Sequence, residues 1–104
     1  MWVVEYYKES GIESWLDNLT IEQLKAVAKE VKFLELSGNR LRLPHSKSLK
    51  KGLFELRERR FGYRIYYTFR GDKIILLICA GDKSTQEKDI KKAQRILDHL
   101  REKG

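Results

Sequence analysis

The run Ile74-Ile75-Leu76-Leu77-Ile78-Cys79-Ala80 is apolar at every position. With no alternation to mark a wet side, it reads as a central β-strand buried on both faces. Two segments before it do alternate. In 53–58, Phe54 and Leu56 oppose Glu55 and Arg57; in 63–69, Tyr63, Ile65, Tyr67 and Phe69 oppose Arg64, Tyr66 and Thr68. The connections between them are short, and Arg70-Gly71-Asp72-Lys73 makes a turn, so 53–80 is expected to form an antiparallel meander.

Upstream, the β-branched and aromatic stretch WVVEYY (2–7) predicts a first strand. Ser10 followed by Glu13 has the spacing of a capping box ahead of Ile12, Trp15, Leu16 and Leu19. Thr20 and Gln23 repeat that signal before Ile21, Leu24, Val27, Ala28, Val31 and Leu34, and Ser37-Gly38-Asn39 ends the helix. Residues 40–52, punctuated by Pro44 and Gly52, read as a loop with room for one short strand. Ser84 with Glu87 is expected to cap a last helix carrying Ile90, Ala93, Ile96, Leu97 and Leu100. The expected class is α+β in the order β-α-α-β-β-β-α. A twisted antiparallel sheet packs one side on the N-terminal helical hairpin, and a C-terminal helix follows. The other side of the sheet, left uncovered, presents Glu55, Arg57, Arg64 and Tyr66. At 104 residues the chain is expected to be a single domain, 1–104, with one core.

Charge is distributed unevenly. The chain holds 22 Lys and Arg against 15 Asp and Glu, a formal net of +7. Residues 40–64 contain nine of those cations and two Glu, so the whole excess lies there and the remaining residues balance at 13 of each sign. A strand-rich segment in a small domain has no structural need for such a block. It predicts a polyanionic partner, nucleic acid ahead of membrane because no basic amphipathic helix accompanies it. A basic surface serving only solubility is the plainer alternative.

Several functions are disfavoured. No apolar run reaches the roughly 18 residues of a membrane span, and MWVVEYYKES is too short and acidic for a signal peptide. A cytoplasmic protein without membrane association is expected. The single cysteine, Cys79, lies within the apolar run and reads as core. No cluster of His, Cys and carboxylates has metal-ligand spacing, so neither metal nor other cofactor is expected.

Arg57 and Arg64 fall on neighbouring strands and alternate to one face, where two guanidinium forks suit a phosphate. Gly81-Asp82-Lys83-Ser84-Thr85 joins a strand to a helix start, a place where free N–H groups and the helix dipole favour an anion, so Ser84 and Thr85 are expected among the RNA-binding residues. Lys47, Lys50 and Lys51 precede the meander and are expected to grip backbone phosphate, with Arg59 and Arg60 extending that RNA-binding set and Tyr66 offering a ring to stack on a base. His45 stands beside Pro44 as a possible acid or base or as a plain exposed residue, and His99 has no assigned role.

LKKGLFELRERRFGYRIYYTF resembles the central hairpin of the RelE/ParE/HigB toxins of type II toxin–antitoxin modules. LLICAGDKSTQEKDIKKAQRIL (76–97) is similar to the strand-to-helix signature of the "addiction module killer protein" branch of that superfamily. The resemblance spans nearly the whole chain and implies a toxin, monomeric when free and silenced by a cognate antitoxin. For the RelE- and HigB-like members it implies metal-free cleavage of messenger RNA in the ribosomal A site, with contacts to ribosomal RNA; for ParE-like members, inhibition of DNA gyrase. A non-catalytic RNA-binding module is a third reading. Arg64 matches the arginine of the family's GYR, and Lys83 a basic position placed beside the substrate. Glu55 and Arg57 stand where the best-known RelE-type member has lysines. The expected catalytic set is Arg57, Arg64, Lys83 and Glu55, where Glu55 is either the general base or a negative charge that spoils the site.

Overall fold

The computed structural model describes residues 1–103. Its elements are β1 (Val3–Tyr6), α1 (Ile12–Asp17), α2 (Ile21–Ser37), β2 (Ser46–Ser48), β3 (Phe54–Glu58), β4 (Tyr63–Arg70), β5 (Ile74–Asp82) and α3 (Gln86–Lys103). The α+β class and element order follow the sequence reading, with β2 filling the place allowed for a short strand.

The sheet runs β1-β5-β4-β3-β2. From β2 to β5 all pairs are antiparallel, but β1 lies parallel to β5, Val3 opposite Ile74 and Tyr6 opposite Leu77. The sheet is therefore mixed rather than wholly antiparallel. The helical hairpin after β1 carries the chain away from the sheet, so β1 need not pair with its sequence neighbour.

The larger correction concerns the second face. One face buries Ile12, Val27, Leu34, Leu56, Ile65, Tyr67, Ile75 and Leu77 under α1 and α2. The other, expected to be uncovered, buries Leu53, Tyr66, Leu76, Ile78 and Cys79 beneath Ala93 and Leu97 of α3. The cause lies in the apolar run itself: leaving Leu76 and Ile78 in water would forgo about 1.5–3 kcal/mol each. The stripe of Ile90, Ala93, Leu97 and Leu100 on α3 supplies the cover.

A bulge adjusts the fit. Tyr66 pairs with Cys79 and Tyr67 with Leu77, so Ile78 is the extra residue on β5. Ile78 and Cys79 both reach the α3 cluster in consequence. Burial pushes the Cys79 thiol up to about 12, which fits a core cysteine rather than a nucleophile.

The expected caps form only in part. Thr20 and Gln23 make their reciprocal box, with Gln23 N donating to Thr20 Oγ1 at 3.2 Å and Thr20 N to Gln23 Oε1 at 2.9 Å. The Ser10–Glu13 box does not form. Ser10 Oγ instead donates to the Tyr7 carbonyl at 2.9 Å, and α1 starts from Gly11 at φ +83° with no side-chain cap. At the last helix the cap is Asp82 rather than Ser84, and a 3₁₀ turn over Lys83–Thr85 precedes α3. At the end of α2, Gly38 (φ +54°) lies under the Trp2 indole, where an added Cβ would sit 2.0 Å from Nε1.

Candidate phosphate-binding site

Arg57 of β3 and Arg64 of β4 are directly opposed in the ladder, so both side chains project from the α3 side of the sheet. Two unit charges about 5 Å apart repel by roughly 3 kcal/mol at an effective dielectric near 20. Glu55, two residues earlier on β3 and on the same side, offsets that repulsion. Its side chain is 0% exposed, and its Oε1 accepts from Arg57 Nε at 3.0 Å and from Arg64 Nη1 at 2.9 Å. Oε2 accepts from Gln86 Nε2 at 2.9 Å. Burial alone would raise the Glu55 pKa. Hydrogen bonds from Arg57 and Gln86, with the positive charges of Arg64 and Arg57, outweigh burial and hold the carboxyl below its ordinary value.

This geometry corrects the expected role of Glu55. Both oxygens are committed and no part of the carboxylate meets solvent, so in this geometry it braces the two arginines and is closed to a substrate proton. Tyr66 is corrected likewise. It is 0% exposed beneath α3, and no base can reach its ring. Among the described residues its hydroxyl has no hydrogen-bond partner, and burial, then the charges of Glu55 and Asp89, raise its pKa.

The guanidiniums retain an open side. Arg57 and Arg64 keep 28% and 17% side-chain exposure, and they line a cleft of about 270 Å³ with Arg59, Gly62, Tyr63 and Pro44. The buried carboxylate of Glu58 is turned away into the β3–β4 turn, accepting from Arg60 N at 2.6 Å and Phe61 N at 2.9 Å. Tyr63, read from the sequence as core, is half-buried against Trp15 yet lines this cleft. Gln86 was missed altogether, since no local pattern links residue 86 to residue 55.

The remaining expected site residues divide by position. Lys47 is exposed on the edge strand β2, opposite Glu55 in register. Lys50 and Lys51 lie in a left-handed turn (φ +76° and +55°) beyond Leu53. Leu53 is itself four residues, or about 13 Å, along the strand from Arg57. Thus the loop lysines are separated from the arginine cleft, and the Lys51 carbonyl is held by the Arg101 guanidinium. Arg59 is exposed at the cleft, whereas Arg60 bridges to Glu22 at 3.0 Å on the open surface.

The turn before α3 is not an open anion site. Asp82 Oδ1 already accepts from Ser84 N at 2.8 Å and from Ser84 Oγ at 2.5 Å. Thr85 Oγ1 donates to Asp89 Oδ2 at 2.5 Å and accepts from Asp82 N at 3.2 Å. Ser84 and Thr85, both exposed, thus spend their hydroxyls on the carboxylates of their own turn. Lys83 points outward, two residues beyond Gly81, the register partner of Arg64. Gly81 has no room for a side chain: a Cβ there would lie 2.0 Å from Asp89 Oδ2. His45 is not a plain exposed residue, since its Nδ1 pairs with Glu30 Oε1 at 2.9 Å. Among the described residues no group of three or more His, Cys, Asp or Glu converges on a point where a metal could sit.

The sheet order and the placement of the helices put this molecule in the RelE-type fold. The chain superposes on a mutant E. coli RelE toxin in the free state with a TM-score of 0.68, at 16% identity, covering 91% of this chain and 97% of that one. Against the intact E. coli RelBE toxin–antitoxin complex the TM-score is 0.64 at 15% identity, covering 79% of this chain and 96% of that one. The archaeal RelE–RelB complex from Pyrococcus horikoshii gives 0.58 at 19% identity over 79% and 94%. Residues 14–100 match the family described as Phage derived protein Gp49-like (DUF891), and the chain belongs to that family. An uncharacterized protein of Haemophilus influenzae is 40% identical over 92 residues, covering 85% of this chain and 87% of that protein.

Proposed function

We propose that this protein is the toxin of a type II toxin–antitoxin pair and that it cleaves messenger RNA on the ribosome. The observation that carries the reading is the Arg57–Arg64 pair, pinned by the buried Glu55 and open to a cleft. In the reaction the RNA 2′-oxygen attacks the adjacent phosphorus, the P–O2′ bond forms and the P–O5′ bond breaks. The 2′-hydroxyl proton leaves to solvent and the 5′-oxygen gains one, giving a 2′,3′-cyclic phosphate and a 5′-hydroxyl. Arg57 and Arg64 stabilise the charge that builds on the non-bridging oxygens, a term worth about 3–4 kcal/mol when donors are preorganised. Preorganisation is the contribution of Glu55, which fixes both forks before substrate arrives. Lys83 adds positive charge at the end of β5.

A non-catalytic RNA-binding role is the second reading, favoured by one feature: the buried carboxylates at the cleft, Glu55 and Glu58, both have their oxygens engaged and neither is free as a base. For a partner, the RelE–RelB pairing of the fold neighbours supports a cognate antitoxin. The net charge of residues 40–64 supports an acidic contact segment on it. Mapping of 5′ ends after brief induction, alongside plasmid topology, tests the proposal. Cuts phased with the reading frame are expected. Intact messages with altered supercoiling would replace it with the gyrase-inhibitor reading, and intact messages with normal topology would leave only RNA binding.

A further inference from the structure

The arginine cleft continues around the β3–β4 turn. On the α2 side of that turn lies a wider groove of about 420 Å³, and Arg59 and Glu58 line both. Its far wall carries Lys25 and Lys29, both exposed and one turn apart on α2. Residues at that spacing have Cβ atoms about 5–6 Å apart on one side of a helix.

The carboxylates around this groove already have partners. Glu22 Oε2 accepts from Arg60 at 3.0 Å, Glu30 Oε1 pairs with His45 at 2.9 Å, and Glu58 holds the two turn N–H groups at 2.6 and 2.9 Å. Among the described residues Lys25, Lys29 and Arg59 have no carboxylate within salt-bridge distance. Three cations without an ion-pair partner thus line the groove that adjoins the phosphate site. Solvated lysines on a helix surface are common, but these two face a groove that shares Arg59 with the arginine cleft.

We propose that Lys25 and Lys29, with Arg59, form the track that holds the RNA backbone beside the phosphate bound by Arg57 and Arg64. This extends the RNA-cleavage reading and rests on it. Lysine suits the task, since a flexible ammonium grips phosphate without reading bases. The strand then leaves the site toward α2. It does not run to Lys50 and Lys51 at the far end of the β2–β3 hairpin.

Fluorescence anisotropy with labelled single-stranded uridine tetramer and dodecamer tests this on the wild-type chain, Lys25→Ala/Lys29→Ala and Arg57→Ala. Circular dichroism confirms that α2 persists in the lysine variant. With about 0.7 of log–log salt slope per phosphate contact on a single strand, the lysine variant should bind the dodecamer about tenfold more weakly, with a slope lower by about 1.4. Its affinity for the tetramer, which fills the arginine cleft alone, should be unchanged, while Arg57→Ala should weaken both. Unchanged dodecamer affinity and slope in the lysine variant would overturn the track and leave the arginine reading standing. Equal losses on both probes would place the lysines in the cleft itself and end the idea of an extended track. A wild-type chain that binds neither probe would overturn the track and the RNA reading together. A lysine variant that keeps the dodecamer but releases a deca-glutamate peptide would assign the groove to an acidic protein segment instead, which also overturns the track.

Discussion

Gln86, the first residue of α3, donates its side-chain amide to the buried carboxylate of Glu55 at 2.9 Å. Through that bond the helix that covers the second face of the sheet also completes the support of the arginine pair. Core packing and site geometry are thereby tied together, and mutations at the support should register in both stability and activity.

Glu55→Gln keeps the shape of the side chain and removes its charge, leaving Arg57 and Arg64 with no counter-charge between them. Breaking a buried pair costs about 3–5 kcal/mol; because both arginines retain some water, about 2–3 kcal/mol is expected here. For a chain of this size that lowers Tm by about 10–20 °C. Thermal melting checks this, and a variant melting with the wild type would show that Glu55 does not balance the pair.

The same carboxylate predicts an acid-sensitive increment of stability. Its folded pKa lies below the ordinary 4.5, so the unfolded chain binds the proton more readily than the folded one. The increment is complete above the unfolded value and is lost as pH falls through the folded one. Urea unfolding followed downward from pH 6 should show the wild-type advantage over Glu55→Gln shrinking below about pH 4.5. A difference that stays constant to pH 3 would contradict the assignment.

Arg64→Ala should abolish RNA cleavage with only a moderate loss of stability. Glu55 keeps Arg57 and Gln86 as partners, so the structural cost should be about 1–2 kcal/mol. The lost stabilisation of phosphorane charge should slow cleavage at least a hundredfold. Arg64→Lys should recover part of the rate, since an ammonium lacks the planar fork. Losses in Arg57→Ala/Arg64→Ala should fall short of the sum of the singles, because both act on one phosphate. Single-turnover cleavage with parallel melting separates the terms; full activity in a folded Arg64→Ala chain would remove it from the site.

Tyr66→Phe should be harmless or mildly stabilising. The hydroxyl is buried without a partner, an arrangement that costs about 1–3 kcal/mol in desolvation, so its removal should raise Tm by a few degrees. RNA affinity should not change, because the ring is covered. A clear loss of RNA affinity in a well-folded Tyr66→Phe chain would return Tyr66 to the binding surface.

Local pattern carried much of the architecture. Period-two alternation placed Arg57 and Arg64 on one side of a hairpin, the unbroken apolar run marked β5 as central, and Thr20 with Gln23 marked the start of α2. Charge counting identified residues 40–64 as the seat of the excess. These features are readable because each depends on residues a few positions apart, or on a sum that ignores geometry. Alternation says which residues share a face, but it does not say what lies over that face. Only when α3 packs on the sheet do Glu55 and Tyr66 become buried, and only then does an expected base become the clamp of two arginines. Position along the sheet was equally hidden. Lys50 and Lys51 belong to the same basic block as Arg57, yet antiparallel pairing carries them to the opposite end of the hairpin. Lys25 and Lys29, from a charge-neutral helix, are brought to the groove on the far side of the β3–β4 turn by the packing of α2. Such juxtapositions arise from contacts between distant parts of the chain, and their energies come from burial and pairing that exist only once those parts have met.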